Sequence, residues 1–281
     1  MWKRLWDTLE GTSMNLIDKK FAQLKEQNKS ALIPYLTCGD PTLDDTIDII
    51  KAMEAAGADI IELGVPNSDP LADGPVIQRA SERSLKNNVT LEQCVQLGGK
   101  LREQGVNIPL IIFTYYNPIF QYGLERFMEL VKANDVSGIL VPDLPIEEDG
   151  ELRQLAAQNN VHLIPLVAPT SNERVSRIAK SAQGFIYCVS SLGVTGERAD
   201  FHAGIDQFLN LVRESSELPI AIGFGISSRE QVARFEAKCD GVIVGSAIVR
   251  TIENNIELLS SPETREQGLN NIASFIAELR G

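Results

Sequence analysis

An α/β fold whose eight parallel strands close into a single barrel is what this sequence predicts, and three observations predict it. Eight short runs rich in Ile, Val, Leu and aromatic residues recur along the 281 residues. Between them lie segments with apolar residues at helical spacing, so that strand and helix alternate in the manner of a (β/α)8 barrel of the TIM type. The first run leads into Cys38-Gly39-Asp40-Pro41 rather than a Gly-rich dinucleotide fingerprint, which disfavours the competing open, doubly wound sheet.

In chain order, the run Ala31 to Thr37 is followed by Ile47, Ile50, Met53 and Ala56 at helical spacing. Ala58 to Val65 is followed by two helical stretches, Val76 to Asn88 and Leu91 to Gln104, around an Asn-Asn break. That is more chain than one crossover needs, so the loop after the second strand is elaborated. Pro109 to Tyr115 precedes Leu124, Phe127, Leu130 and Val131, again on one helical face. Ser137 to Pro142, His162 to Ala168 and Gly184 to Ser190 supply the fourth to sixth strands, and Ile205, Phe208, Leu209 and Val212 mark the next helix. Pro219 to Phe224 and Asp240 to Gly245 complete the eight. Residues 1–13 form an extension ahead of a barrel spanning 14–281, with Trp2, Leu5, Trp6 and Leu9 at helical spacing before Gly11-Thr12-Ser13 and a second methionine, Met14. A frayed extension or an upstream start is expected there, with a helix docked on the barrel as the alternative.

A chain of this length with 43% hydrophobic residues can bury a large core. Its formal net charge of -12 argues against nucleic acid or an anionic membrane surface as its main partner. No apolar run approaches membrane-spanning length and no basic leader is evident, so a cytoplasmic protein is expected. Cys38, Cys94, Cys188 and Cys239 lack Cys-x-x-Cys spacing and read as reduced core residues. The two histidines, His162 and His202, have no clustered ligands, so neither a metal site nor a histidine-based triad is expected.

The chemistry is expected between Glu62 and Gln78. Glu62 lies at the end of a strand buried on both faces, where an unpaired charge would cost several kcal/mol. It serves either as a working acid or base or merely as the partner of a buried Arg or Lys. Asp73, between Ala72 and Gly74, would alone suit an Asx-turn. Together they place one carboxylate in a dry setting and one in a wetter setting, which pushes two pKa values apart. Both fall where such barrels carry their working residues, at or after strand C-termini.

Three glycine-bearing turns follow late strands: Gly193-Val194-Thr195-Gly196, Gly223-Phe224-Gly225 and Gly245-Ser246. Glycines admit an anion close to the backbone, and helix N-termini bind phosphate. With no Lys or Arg in these motifs, a phosphate would be held by backbone amides and the Ser246 hydroxyl.

At these residues the sequence resembles a known family. Glu62-Leu-Gly-Val-Pro, Ser68-Asp-Pro-Leu-Ala-Asp-Gly-Pro-Val-Ile-Gln, Gly193-Val-Thr-Gly, Gly223-Phe-Gly-Ile-Ser-Ser and Gly245-Ser-Ala-Ile-Val are similar to motifs of the tryptophan synthase alpha chain, over roughly residues 14 to 270. The resemblance implies a retro-aldol cleavage of indole-3-glycerol phosphate to indole and glyceraldehyde 3-phosphate, with no metal or organic cofactor. It implies Glu62 as the base that takes the hydroxyl proton, and as a candidate proton donor to indole C3. It places Asp73 near the indole N–H, where a carboxylate stabilises the positive charge of the protonated ring. By the same matching, Tyr35, Tyr115, Leu140, Tyr187 and Phe224 would line the indole slot, and Thr195, Gly196, Gly225, Gly245 and Ser246 would contact the substrate. Asp69 and Thr195 would close the loop after the sixth strand over the loop after the second. The implied partner is the pyridoxal-phosphate-dependent tryptophan synthase beta chain in an alpha2-beta2 assembly, with Pro70, Asn117 and Pro145 near the interface. Asn67 departs from the family, which usually carries an aromatic residue there.

Three other readings compete: a free-standing lyase that releases indole, a mainly activating phosphate-binding subunit of the beta chain, and an unrelated sugar-phosphate isomerase or aldolase. A Schiff-base aldolase would want a lysine at a strand end, and none of the eight runs supplies one.

Overall fold

A computed structural model describes residues 14–190 and 204–281. The extension 1–13 and the turn bearing Thr195 and Gly196 lie outside them, as does His202.

The sheet contains β1 (Ala31–Thr37), β2 (Ile61–Gly64), β3 (Leu110–Phe113), β4 (Gly138–Leu140), β5 (His162–Leu163), β6 (Leu166–Val167), β7 (Ile186–Val189), β8 (Ile220–Gly223) and β9 (Gly241–Val244). All pairings are parallel, in the order β5-β4-β3-β2-β1-β9-β8-β7-β6. The two ends of that order are consecutive in the chain. β5 and β6 are halves of the fifth predicted run, parted at Ile164-Pro165 because proline has no N–H for a ladder. The ladder nevertheless spans the break. The Ile164 N–H donates to the Ile139 carbonyl at 2.9 Å on one side, and Pro165 accepts from the Tyr187 N–H at 3.1 Å on the other. Eight staves therefore close, as the alternating pattern predicts.

Because each strand is buried on both faces, alternate residues enter two different cores. Ile33 and Tyr35 of β1, Ile111 and Phe113 of β3, and Tyr187 of β7 fill the barrel interior. Leu32 and Leu36 of β1, Leu110 and Ile112 of β3, and Ile186 and Cys188 of β7 pack outward beneath the helices. All four cysteines are buried and free.

The elaborated second loop forms the helices Pro75–Lys86 and Leu91–Glu103. Between them Asn88 adopts a positive φ, and Thr90 starts the second helix with a reciprocal capping box to Gln93. The helix Leu16–Glu26 is an element that the apolar periodicity did not announce. Its Ile17, Phe21 and Leu24 belong to the interior core, with Phe21 tilted against Phe185 at 5.4 Å, and so close the barrel's lower end.

Asn15 secures this plug: its side chain accepts the Ile17 N–H and donates to the carbonyls of Ser137 and Asn160, each at 2.8 Å. Asn15→Ala is expected to cost about 1–2 kcal/mol, since it removes the helix cap and the side-chain tether to the Ser137 carbonyl, which keeps its bond from the His162 N–H at 3.1 Å. Urea unfolding should show a lower midpoint with an unchanged slope.

Candidate active site

Glu62 stands on β2 opposite Tyr35 of β1 and Ile111 of β3, with the parity that points it into the barrel. It is 2% exposed and lines a cavity at the C-terminal mouth of the strands. Burial alone pushes its carboxyl up to about 8, and no cation is paired with it among the described residues.

Asp73 lines the same cavity from the loop after β2, immediately before Gly74 caps the helix Pro75–Lys86. Pro75 at the first helical position is preorganised for a helix start, and Gln78 folds its side-chain amide back onto the Asp73 carbonyl at 2.7 Å. Burial raises the Asp73 carboxyl to about 6, against the lowering effect of the Tyr115 hydroxyl. Two carboxyl groups thus share one cavity with separated pKa values.

The walls come from Tyr35, Tyr187 and Phe224, and from Gly225, Gly245 and Ser246 of the two late turns. Burial raises both tyrosine hydroxyls, and the Glu62 charge adds to the effect, so both rings stay neutral. Each tyrosine fits because a glycine faces it from the neighbouring strand. A Cβ on Gly64 would overlap the Tyr35 hydroxyl and lie 2.5 Å from Cζ; one on Gly223 would overlap the Tyr187 hydroxyl and lie 2.8 Å from Cζ.

The turn after β8 is strained. Phe224 has a φ of 72°, rare for a bulky residue, followed by Gly225 at 89°. Ser190, at the end of the β7 run, holds it: the backbone N–H donates to the Gly223 carbonyl at 3.0 Å and the hydroxyl to the Phe224 carbonyl. The Phe224 ring meets Tyr187 edge to face at 6.0 Å. After β9, the helix Ser246–Asn254 opens toward the cavity with Ser246 in the lining. The Ile248 N–H already donates to the Gly245 carbonyl at 2.9 Å, so the Ser246 and Ala247 amides at the very start of the helix are those suited to an anion.

The remaining predicted residues fall elsewhere. Leu140 and Tyr115 are not among the cavity-lining residues. Leu140 is fully buried in the interior core, and the Tyr115 hydroxyl accepts the Ala72 N–H at 2.9 Å beneath the loop after β2. Asp69 is exposed on that loop, where its N–H donates to the Asn67 side chain at 3.0 Å. Asn67 therefore shapes the loop through an Asx-type contact in place of packing. Asp69's expected closing partner, Thr195, lies outside the described residues, as does Gly196. Pro70 and Pro145 are half-buried and Asn117 is exposed on the helix Tyr116–Tyr122. Close in sequence to two of these lie the large apolar side chains that stand exposed among the described residues, Leu71 at 71% and Phe120 at 59%. Sequence reasoning missed Ile77, Phe113 and Ile243 as lining residues. Inward parity on β3 and β9 was the available signal for the last two, and one helical turn beyond Asp73 for the first.

A family profile described as tryptophan synthase alpha chain matches residues 21–278. The tryptophan synthase alpha chain of Geobacillus kaustophilus is 52% identical over 252 residues, covering 90% of this chain and 94% of that one. That of Bacillus subtilis is 46% identical over 256 residues, covering 91% and 96%. Among solved structures, tryptophan synthase subunit alpha from Legionella pneumophila superposes with a TM-score of 0.84 at 33% identity, covering 95% of this chain and 98% of that one. A tryptophan synthase chain from Mycobacterium tuberculosis gives 0.84 at 30% identity with the same coverage. A profile spanning most of the residues and relatives near half identical over nine-tenths of the length leave one assignment: this chain belongs to the tryptophan synthase alpha chain family.

Proposed function

We propose that this chain cleaves indole-3-glycerol phosphate to indole and glyceraldehyde 3-phosphate, with Glu62 and Asp73 as its acid–base groups. The observation that carries the reading is the Glu62 carboxyl, buried with no cation of the described residues beside it, in a cavity that also holds Asp73 and two glycine turns. The bond to be broken joins indole C3 to a carbon bearing a hydroxyl. Protonation of C3 makes the ring a leaving group, and Glu62 takes the hydroxyl proton as the C–C bond opens to an aldehyde. Asp73 stabilises the positive charge on the ring nitrogen while C3 is protonated. Tyr35, Tyr187 and Phe224 hold the ring, and the amides around Gly225, Gly245 and Ser246 hold the phosphate.

We also propose that the chain hands indole to a tryptophan synthase beta chain. The exposed Leu71 and Phe120, neighbours of Pro70 and Asn117, give that face the apolar side chains a partner would cover. No helix among the described residues is long and apolar enough to cross a membrane, and the acidic charge suits a soluble enzyme of the cytoplasm.

The test is indole release by the purified chain, alone and with a beta chain added. Indole in neither arm overturns the reading; indole only with the partner supports a partner-dependent lyase. As a base Glu62 must be ionised, so kcat/KM is expected to rise with pH through about 8 in the free enzyme, with a lower limb near 6 from Asp73.

A further inference from the structure

We propose that Tyr115 is a positioning residue for Asp73: its hydroxyl ties the loop after β2 to the end of β3 and donates its proton to the Asp73 carboxylate, holding that group charged toward the indole nitrogen. This rests on the function proposed above and goes beyond the ring-lining role that the resemblance implies. Tyr115 is 4% exposed and lies outside the cavity lining. Its ring stands edge-on to Phe113 at 6.4 Å, and Phe113 stands edge-on to Tyr35 at 5.7 Å, so the phenol cannot swing freely. A phenol hydroxyl has one proton and accepts as well as donates. Here it accepts the Ala72 N–H at 2.9 Å, which leaves the proton for the carboxyl one residue along. That carboxyl does feel the hydroxyl, which lowers its pKa against burial. Burial keeps Tyr115 itself protonated.

The titratable groups that face the pair are acids. Glu62 faces it across the cavity from β2 and Tyr35 stands beyond on β1, while Asp143, after β4, faces Tyr115 and is held by the Tyr116 N–H at 2.9 Å. No cation of the described residues takes the place of the phenol proton among the influences on Asp73.

Tyr115→Phe keeps the ring and removes only the hydroxyl. Expected are a fall of about tenfold in kcat and an upward shift of about 0.5–1 pH unit in the Asp73 titration, followed by carboxyl 13C NMR as well as by the lower limb of kcat/KM. In an Asp73→Asn background the same substitution should change kcat by less than about twofold, because the group it positions is gone. An unshifted Asp73 titration, or an undiminished tenfold loss in the Asn background, overturns the proposal. If Asp73→Asn alone leaves indole release untouched, it is the assigned role of Asp73 that fails, whatever Tyr115 does. Should Tyr115→Phe not fold, the Tyr115 hydroxyl proton is followed by 1H NMR in the parent: a downfield signal that moves as Asp73 titrates is expected, and a signal indifferent to that titration overturns the proposal.

Discussion

Replacing Glu62 with glutamine is expected to abolish most turnover and at the same time make the protein more stable above neutral pH. The loss should be on the order of 10²–10⁴ in kcat, the span that one general acid or base contributes, with KM little changed because the amide keeps the shape of the carboxyl. The gain in stability follows from the same burial. The native carboxyl titrates near 8, against an ordinary value of 4.5, so between those pH values the folded protein binds a proton that the unfolded chain has released. Stability contributed by the protonated acid is intact below about pH 4 and is lost as pH rises through 8. At about 1.4 kcal/mol per pH unit, the gap sets a ceiling of about 5 kcal/mol. Local relaxation and water entry at the cavity mouth soften the penalty on the ionised parent, so a net gain of about 2–3 kcal/mol above pH 8 is expected. The variant should therefore melt a few degrees higher at pH 8.5 and at the same temperature as the parent at pH 4, where a neutral acid and a neutral amide fill the same place. Equal melting at both values, with turnover lost, would mean that the carboxyl is compensated by a group that the described residues do not contain. Undiminished indole release would remove Glu62 from the mechanism.

The division between what the sequence reveals and what it hides follows from physical range. Strand and helix alternation is local, set by burial on both faces of a strand and one face of a helix, so all eight staves and the doubled helix after β2 are legible. Glu62 is legible because a carboxylate in an apolar strand is costly unless it is used. The split of the fifth stave at Ile164-Pro165 is hinted at by the proline, but its two-sided pairing depends on partners at Ile139 and Tyr187, far along the chain. The lower plug escaped because Leu16–Glu26 mixes its apolar face with lysines and an acid, and its meaning lies in the barrel end it fills. The placement of Tyr115 was hidden for a related reason. Strand position puts a side chain near the mouth, but whether it reaches the cavity or the underside of a loop depends on where Ala72 lies, and no spacing within either segment encodes that distance.

Gly64→Ala is expected to impair catalysis almost as much as a change to a reacting group, although Gly64 makes no hydrogen bond to substrate in the proposed reaction. The added methyl would occupy the place of the Tyr35 ring edge, with Cε2 at 2.7 Å and Cζ at 2.5 Å, closer than real carbon atoms approach. Backbone relief is limited, since Gly64 is inside the ladder: its carbonyl accepts the Cys38 N–H at 2.8 Å, and its register partners are Thr37 and Phe113. The side chain must yield instead. Tyr35 is hemmed by Phe113 at 5.7 Å, so the open direction is the cavity, where the ring would block the indole slot. A drop of about 10²-fold in kcat/KM, mostly in KM, is expected, with about 1–3 kcal/mol lost in stability from the overpacked interior. Tyr35→Leu in the same chain should restore much of the loss, because a shorter side chain clears the methyl. The double variant should therefore outperform Gly64→Ala alone, the sign that only direct contact between the two positions produces. Additive losses would place the damage in the strand rather than in the tyrosine, and the glycine would then be a ladder residue whose proximity to the ring is incidental.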